Sequence, residues 1–361
     1  MAYEFLFSEP IQNYPVRRYE RRSSSLIDPA VTMNFTDQFY KLHSCAHALN
    51  LRTVLLHRRH YAGSTPYTPS ELEEIKQGRK SFWERWNAEF AEFLCIFITR
   101  EQIPKLKEHA NGTRNGGIAI IGWSLGAVPA LSILTPAVNS GITSERSVLL
   151  EKYLGSCILY EPPFQAFGHS PPSDNPNYNP WMNPDLKIPM DQLMVVFSHW
   201  VSSYFDHPCY DPASHSLRSS ATIHDFESVY SRDKASSVSS WTKDELARGV
   251  ERDAVEMETF MCMPPMQAMI HELTDEALFD ARAASICFPR VQVVHICGTR
   301  TVWTCAWTQT EIKNRYQSEV RGRAMQFVDV DGWNHFAHWD QPQQFMEVVA
   351  SCLCPTRLES L

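Results

Sequence analysis

Glycine is sparse in this chain, 14 residues in 361, and none of it forms a phosphate-binding loop or a nucleotide motif, so no cofactor of that kind is expected. Positive charge is also short. Lys and Arg number 33 against 41 Asp and Glu, a net charge of −8, and no basic stripe runs along the chain, which excludes a nucleic-acid-binding surface. Arg21-Arg22 and Arg58-Arg59 are isolated pairs suited to solvent or to ion pairing. No apolar run approaches the length that crosses a bilayer. The first residues, Met-Ala-Tyr-Glu-Phe, lack the basic stretch and apolar stretch of a secretory signal. The 10 cysteines contain no Cys-x-x-Cys pair, so they read as free, mostly buried thiols of a reducing, cytoplasmic compartment. The sequons at Asn34 and Asn111 carry little meaning without secretion, and the terminal Glu-Ser-Leu is not the peroxisomal Ser-Lys-Leu. His43 and His47 share the i, i+4 spacing of a zinc pair but have neither the intervening Glu nor a third ligand, so no metal is expected. What remains is ordinary globular composition, 43% hydrophobic and 20% charged, in a chain long enough for one elaborated domain or two.

Against that background one stretch stands out. Ile118-Ala119-Ile120-Ile121 is an apolar, largely β-branched run suited to a strand covered on both faces. It leads into Gly122-Trp123-Ser124-Leu125-Gly126, a Gly-x-Ser-x-Gly pentapeptide. Gly122 and Gly126 flank the serine where side chains would collide in a sharp strand-to-helix turn. Leu125 to Leu134 reads as the helix, with Pro129 near its first turn. Such a turn strains the serine, exposes its hydroxyl and sets free helix N–H groups beside it.

Further strands are predicted at Arg52–Leu56, Gly155–Tyr160, Val291–Cys297 and Ala324–Val330. Helical patterns fall between them: Met33–Leu49, a helix from Ser70 with a Ser70/Glu73 capping box, Met190–Tyr204, Lys243–Glu276 broken near Pro264-Pro265, Thr308–Ser318 and Pro342–Cys354. Trp83, Trp86, Phe90, Phe93 and Phe97 recur every three or four residues as a core-packing face. Strands alternating with helices predict a doubly wound, mostly parallel α/β sheet, whose sites lie beyond the carboxyl ends of the strands. Ser124, Glu161, Thr301 and His335 all follow strands, so that one edge can gather them.

A serine needs a base to take its proton, and the base needs an orienting carboxylate. His335, in Asp331-Gly332-Trp333-Asn334-His335, is the favoured base and His338 its rival. Glu161 ends an apolar strand, where a carboxylate without a partner would be costly; it is the favoured acid over Asp329 and Asp331.

The order strand, Gly-x-Ser-x-Gly, inserted segment, strand and Gly-x-x-His resembles the α/β-hydrolase family. Arg58-Arg59-His60-Tyr61-Ala62-Gly63-Ser64-Thr65-Pro66 is similar to a loop of its fungal members, and Gly332 to Pro342 to its histidine loop. The resemblance implies Ser124 as nucleophile, the N–H of Leu125 as one oxyanion donor, and His335 as base. It implies an α/β-hydrolase fold with a helical cap after the family's sixth strand. The expected divisions are an irregular segment 1–32, core 33–165, cap 166–285 and core 286–361. Two departures accompany it. The turn where many members carry the acid is Gly298-Thr299-Arg300-Thr301, with threonine in the acid's place. Upstream of Met33 there is neither His-Gly nor an apolar strand of proper length, and Pro29 has no N–H to donate, so the strand that completes the oxyanion hole is expected to be missing. The implied activity is hydrolysis of an ester, thioester or similar acyl bond of a small apolar substrate, with Trp123, His57, Met261 and Met263 as substrate contacts. The alternative is a weak or inactive hydrolase-fold protein that binds a small apolar ligand. A serine at position 124 argues against the aspartate chemistry of dehalogenases and epoxide hydrolases. The oligomeric state is not legible.

Overall fold

The computed structural model describes residues 24–29, 36–56, 58–61, 64–110, 112–183, 185–226, 229–248, 252–319 and 322–353. His57, Asn34 and Asn111 lie outside them. Six parallel strands form the central sheet: β1 (Ser24–Pro29), β2 (Arg52–Leu55), β3 (Ile118–Trp123), β4 (Leu154–Tyr160), β5 (Gln292–Gly298) and β6 (Met325–Val330), in the order β6-β5-β4-β3-β1-β2. Every residue of β3 and β4 is buried, as a parallel sheet covered on both faces requires. The helices fall into groups that pack among themselves: Leu42–Ala48 (α1) touches the last helix, while Lys80–Arg100 (α3), Ala127–Ser132 (α4) and Ser144–Leu150 (α5) form another layer. The chain steps outward from β1 to β2 and then returns to β3 on the other side of β1. That reversal makes a topological switch point between β1 and β3.

β1 corrects the expectation of a missing strand within an irregular 1–32 segment. Ser24–Pro29 carries only two aliphatic residues, Leu26 and Ile27, so no apolar run marks it. Its place between two parallel neighbours lets backbone pairing substitute for side-chain signal, with Leu26 opposite Val54 on one side and Ile120 on the other.

Two helical expectations also change. The capping box is built on Thr68, not Ser70. The Thr68 hydroxyl accepts from the Glu71 N–H at 3.3 Å, and the Glu71 carboxylate accepts from the Thr68 N–H at 2.7 Å. Pro69, with a preset φ and no N–H to satisfy, starts the helix Pro69–Lys76 (α2) earlier. That helix does not run into the aromatic stripe. Gly78, at φ +63, sits where an added Cβ would lie 2.2 Å from the Pro265 carbonyl oxygen. The chain breaks there and restarts as α3, which buries Trp83, Trp86, Phe90 and Phe97. Between β4 and β5 lie Met190–Val201 (α6), Arg252–Met261 (α7) and Pro264–Thr274 (α8), with α7 and α8 separated just before the Pro264-Pro265 pair.

Candidate active site

The turn after β3 has the backbone that the pentapeptide suggests, but Ser124 is buried, where an exposed hydroxyl was expected. Trp123 is extended (φ −99, ψ 136), and Ser124 swings to φ 56 at the start of the short 3-10 turn Ser124–Gly126. A non-glycine residue in that left-handed region costs on the order of 1–3 kcal/mol. Gly122 explains why the turn can close. A Cβ there would sit 2.3 Å from the Gly126 carbonyl oxygen and 2.7 Å from the Ala127 Cα. Leu125 follows the serine directly within the turn, and α4 begins at Ala127.

The next strand ends in the same way. Glu161 follows β4 at φ 53, and its N–H donates to the Ile296 carbonyl at 2.9 Å, which binds this turn to β5. Its side chain is wholly buried, and each carboxylate oxygen is engaged. Oε1 accepts the Gly298 N–H at 2.6 Å. Oε2 accepts the Thr301 hydroxyl and lies 3.3 Å from Nδ1 of His335. Thr301, which stands where many family members carry a carboxylate, thus holds the Glu161 carboxylate that ends the neighbouring strand.

His335 sits in the loop after β6. That loop is stitched to the turn after β5 by Arg300 N–H to Trp333 O (2.9 Å) and Gly332 N–H to the Thr299 hydroxyl (2.9 Å). Asn334 anchors it to the inserted region through the Ser202 carbonyl (2.7 Å) and the Ser237 hydroxyl (2.8 Å). The Trp123 indole N–H donates to the His335 carbonyl at 3.1 Å, and the two rings lie 5.0 Å apart. The residue beside Ser124 thus fixes the backbone of His335. The Tyr160 hydroxyl donates to the same carbonyl at 3.4 Å, and burial holds that phenol well above its ordinary pKa. Among the described residues no hydrogen bond joins Ser124 to His335. The contact that is formed is the one between Glu161 and His335.

His338 has a different setting. It is fully buried, stacks on Phe39 with ring centroids 4.0 Å apart, and places Nδ1 3.4 Å from the Tyr160 hydroxyl. Desolvation pushes its pKa well below 6.5, which keeps it a neutral core histidine. Asp329 pairs with Lys313 at 3.2 Å and Asp331 with His215 at 2.9 Å, so both are committed away from His335. His43 contacts Thr53 at 2.5 Å and belongs to no cluster of metal-ligating groups among the described residues.

Met261 is buried at the end of α7, and Met263, half-buried, precedes α8. Met261 belongs to the same hydrophobic core as Trp123 and Leu125. The methionine that joins the inserted helices to the core is Met266, whose sulfur accepts the Trp83 indole N–H at 3.3 Å. A second joint gives Arg58 an ion-pair partner that the sequence did not identify. Arg58, after β2, pairs with Glu258 of α7 at 2.5 Å, and the Tyr61 hydroxyl donates to the same carboxylate oxygen at 2.5 Å. Arg58 and Glu258 are both buried. Cys305 is a further residue that sequence alone did not mark. Its sulfur lies 3.5 Å from Nδ1 of His335, and its S–H donates to the Glu161 carbonyl at 3.2 Å.

Strand order, a left-handed serine after β3 and a carboxylate–histidine pair drawn from the ends of β4 and β6 decide the architecture. The fold is that of the α/β-hydrolases. No protein-family model and no curated protein matches the chain. Among solved structures it is similar to a peroxisomal alpha-beta-hydrolase from Saccharomyces cerevisiae, at 14% identity and a TM-score of 0.41, over 92% of this chain and 75% of that one. It is similar to carboxylesterase CesB from Bacillus subtilis at 12% identity and a TM-score of 0.44, over 93% and 85%. It is also similar to epoxide hydrolase A from Mycobacterium thermoresistibile at 12% identity and a TM-score of 0.42, over 92% and 91%. Identities and scores this low carry no functional argument, so function is read from the residues.

Proposed function

We propose that this chain is a serine hydrolase that cleaves an ester, thioester or similar acyl bond of a small apolar substrate. The observation that carries the reading is the Glu161–His335 contact at 3.3 Å, one strand away from a serine held at φ 56. With Nδ1–H of His335 directed at Glu161, the lone pair of Nε2 is left to accept the Ser124 proton. The alkoxide oxygen then forms a bond to the substrate carbonyl carbon. His335 returns the proton to the leaving group, and water repeats the sequence to release the acid. Glu161 keeps the imidazole in that tautomer and balances the imidazolium that forms. The Leu125 N–H is one oxyanion donor. Trp123, His57, Met261 and Met263 are the proposed substrate contacts, and residues 166–285 the cap over cores 33–165 and 286–361. A reducing cytoplasmic location suits the free thiols.

With no hydrogen bond joining Ser124 to His335 among the described residues, a second reading is a hydrolase-fold protein that binds a small apolar ligand without turnover. Labelling with a fluorophosphonate probe separates the two. Wild type is expected to label at Ser124, Ser124→Ala not at all, and His335→Ala on the order of a thousandfold more slowly. A wild-type chain that fails to label rejects the hydrolase in favour of the binding protein.

A further inference from the structure

The mechanism above uses Glu161 and His335 and leaves Cys305 idle, although its sulfur touches both residues. One oxygen of Glu161, Nδ1 of His335 and the Cys305 sulfur all lie within 4.8 Å of one another, and all three residues are buried. The sulfur–nitrogen separation is 3.5 Å and the nitrogen–oxygen separation 3.3 Å. Around one tetrahedral zinc, bonds of about 2.0–2.3 Å put neighbouring ligand atoms about 3.3–3.6 Å apart. Carboxylate, imidazole and thiolate are the ligand types that zinc and cadmium take. We propose that Glu161, Cys305 and His335 form a site for a single thiophilic divalent cation, and that occupancy switches the hydrolase off.

Charge and proton balance support the assignment. Binding removes the proton from the Cys305 thiol and releases it to solvent. A dipositive ion facing one carboxylate and one thiolate is then neutral as a unit, which a fully buried site demands. The outer contacts are already in place. The Gly298 N–H and the Thr301 hydroxyl fix the Glu161 carboxylate, as partners beyond the ligands commonly do. The fourth position is left for water.

The inhibitory consequence follows from the imidazole, and this part rests on the proposed triad. The cation takes the Nδ1 lone pair, so the single imidazole proton moves to Nε2. A protonated Nε2 cannot accept the Ser124 proton, and Glu161 is at the same time withdrawn from Nδ1. The base is lost without any obstruction of the substrate path. Because the site is buried, inhibition sets in slowly, at the rate at which the structure opens.

The test uses the full-length chain with cadmium and zinc chlorides as probes. Cadmium is titrated while the ultraviolet thiolate-to-cadmium band is followed, in wild type, Cys305→Ala, Cys305→Ser and Cys262→Ala. The last is a control for an exposed thiol elsewhere in the chain. Cys305→Ala and Cys305→Ser are both made so that one folded variant, verified by its melting curve, is in hand. Wild type and Cys262→Ala are expected to share a tight cadmium component that the Cys305 variants lack, with affinity down about tenfold or more. Zinc is expected to slow fluorophosphonate labelling of wild type progressively, EDTA to restore it, and the Cys305 variants to label at an unchanged rate with or without zinc. The same tight component in the Cys305 variants, or equal slowing of all variants by zinc, overturns the proposal. If wild type does not label even without metal, the hydrolase reading fails, and the cadmium titration still decides the site.

Discussion

At the carboxyl edge of the sheet, Ser124 and Glu161 close adjacent strands, and both sit at positive φ, 56 and 53. Their side chains live under different rules. Around Glu161 every polar contact is filled: two donors from the turn after β5, the imidazole of His335, and its own N–H tied back to β5. Around Ser124 the order lies in the backbone, in the Gly122–Gly126 contact and the extended Trp123, while the hydroxyl has no fixed partner among the described residues. Glu161 is locked by hydrogen bonds and Ser124 by steric shape. A carboxylate buried without partners would be costly, so it must be satisfied in the resting protein. A nucleophile must instead be positioned and left uncommitted.

The contrast can be broken from either side. The largest effect is expected where the loop after β2 is clamped to α7 by the buried Arg58–Glu258 pair. Arg58→Met leaves that carboxylate without its cation and is expected to lower stability by about 3–5 kcal/mol, seen as a lower denaturant midpoint. Arg58→Met combined with Glu258→Leu should recover most of the loss, and no recovery would show that the pair matters for a reason other than its uncompensated charge. On the acid side, Thr301→Val removes one hydroxyl donor from Glu161. A hydrogen bond to a charged group contributes about 1.5–3 kcal/mol, so labelling is expected to slow by about 10- to 100-fold. An unchanged rate would mean that the Gly298 N–H alone holds the carboxylate. The smallest effect on activity is expected at His338, where His338→Gln should label within about twofold of wild type. Its signature lies in stability. A histidine kept neutral by burial takes up its proton only when the chain unfolds. As pH falls below about 6.5 the unfolded state therefore binds a proton that the native state does not, and stability drops. His338→Gln should flatten that part of the pH profile of unfolding, and an unaltered slope would contradict the assignment.

Much of the edge was legible in the sequence because it is written in local patterns. The apolar run before Ser124 and the two glycines around it specify the turn, and the apolar runs ending at Tyr160, Cys297 and Val330 specify three more strands. The abrupt charge at Glu161 after a buried strand was a readable signal for the same reason that a buried carboxylate needs partners. β1 was not legible, because Ser24-Ser25-Leu26-Ile27-Asp28-Pro29 owes its state to two neighbouring strands and not to its own composition. The start of α2 was misplaced because Thr68 and Ser70 both head a capping-box pattern, and Pro69 decides between them. Cys305, Thr301 as a support for Glu161, and the Arg58–Glu258 pair depend on contacts between residues 140 or more positions apart. No local pattern records such contacts.

The central claim is that Glu161 orients His335 for attack by Ser124. It is tested most directly by the second-order rate of fluorophosphonate labelling of Glu161→Gln relative to wild type, with both proteins shown to be folded. The account predicts a rate lower on the order of a thousandfold or more, because an amide cannot stabilise the imidazolium or enforce its tautomer. Labelling of Glu161→Gln at the wild-type rate would contradict it.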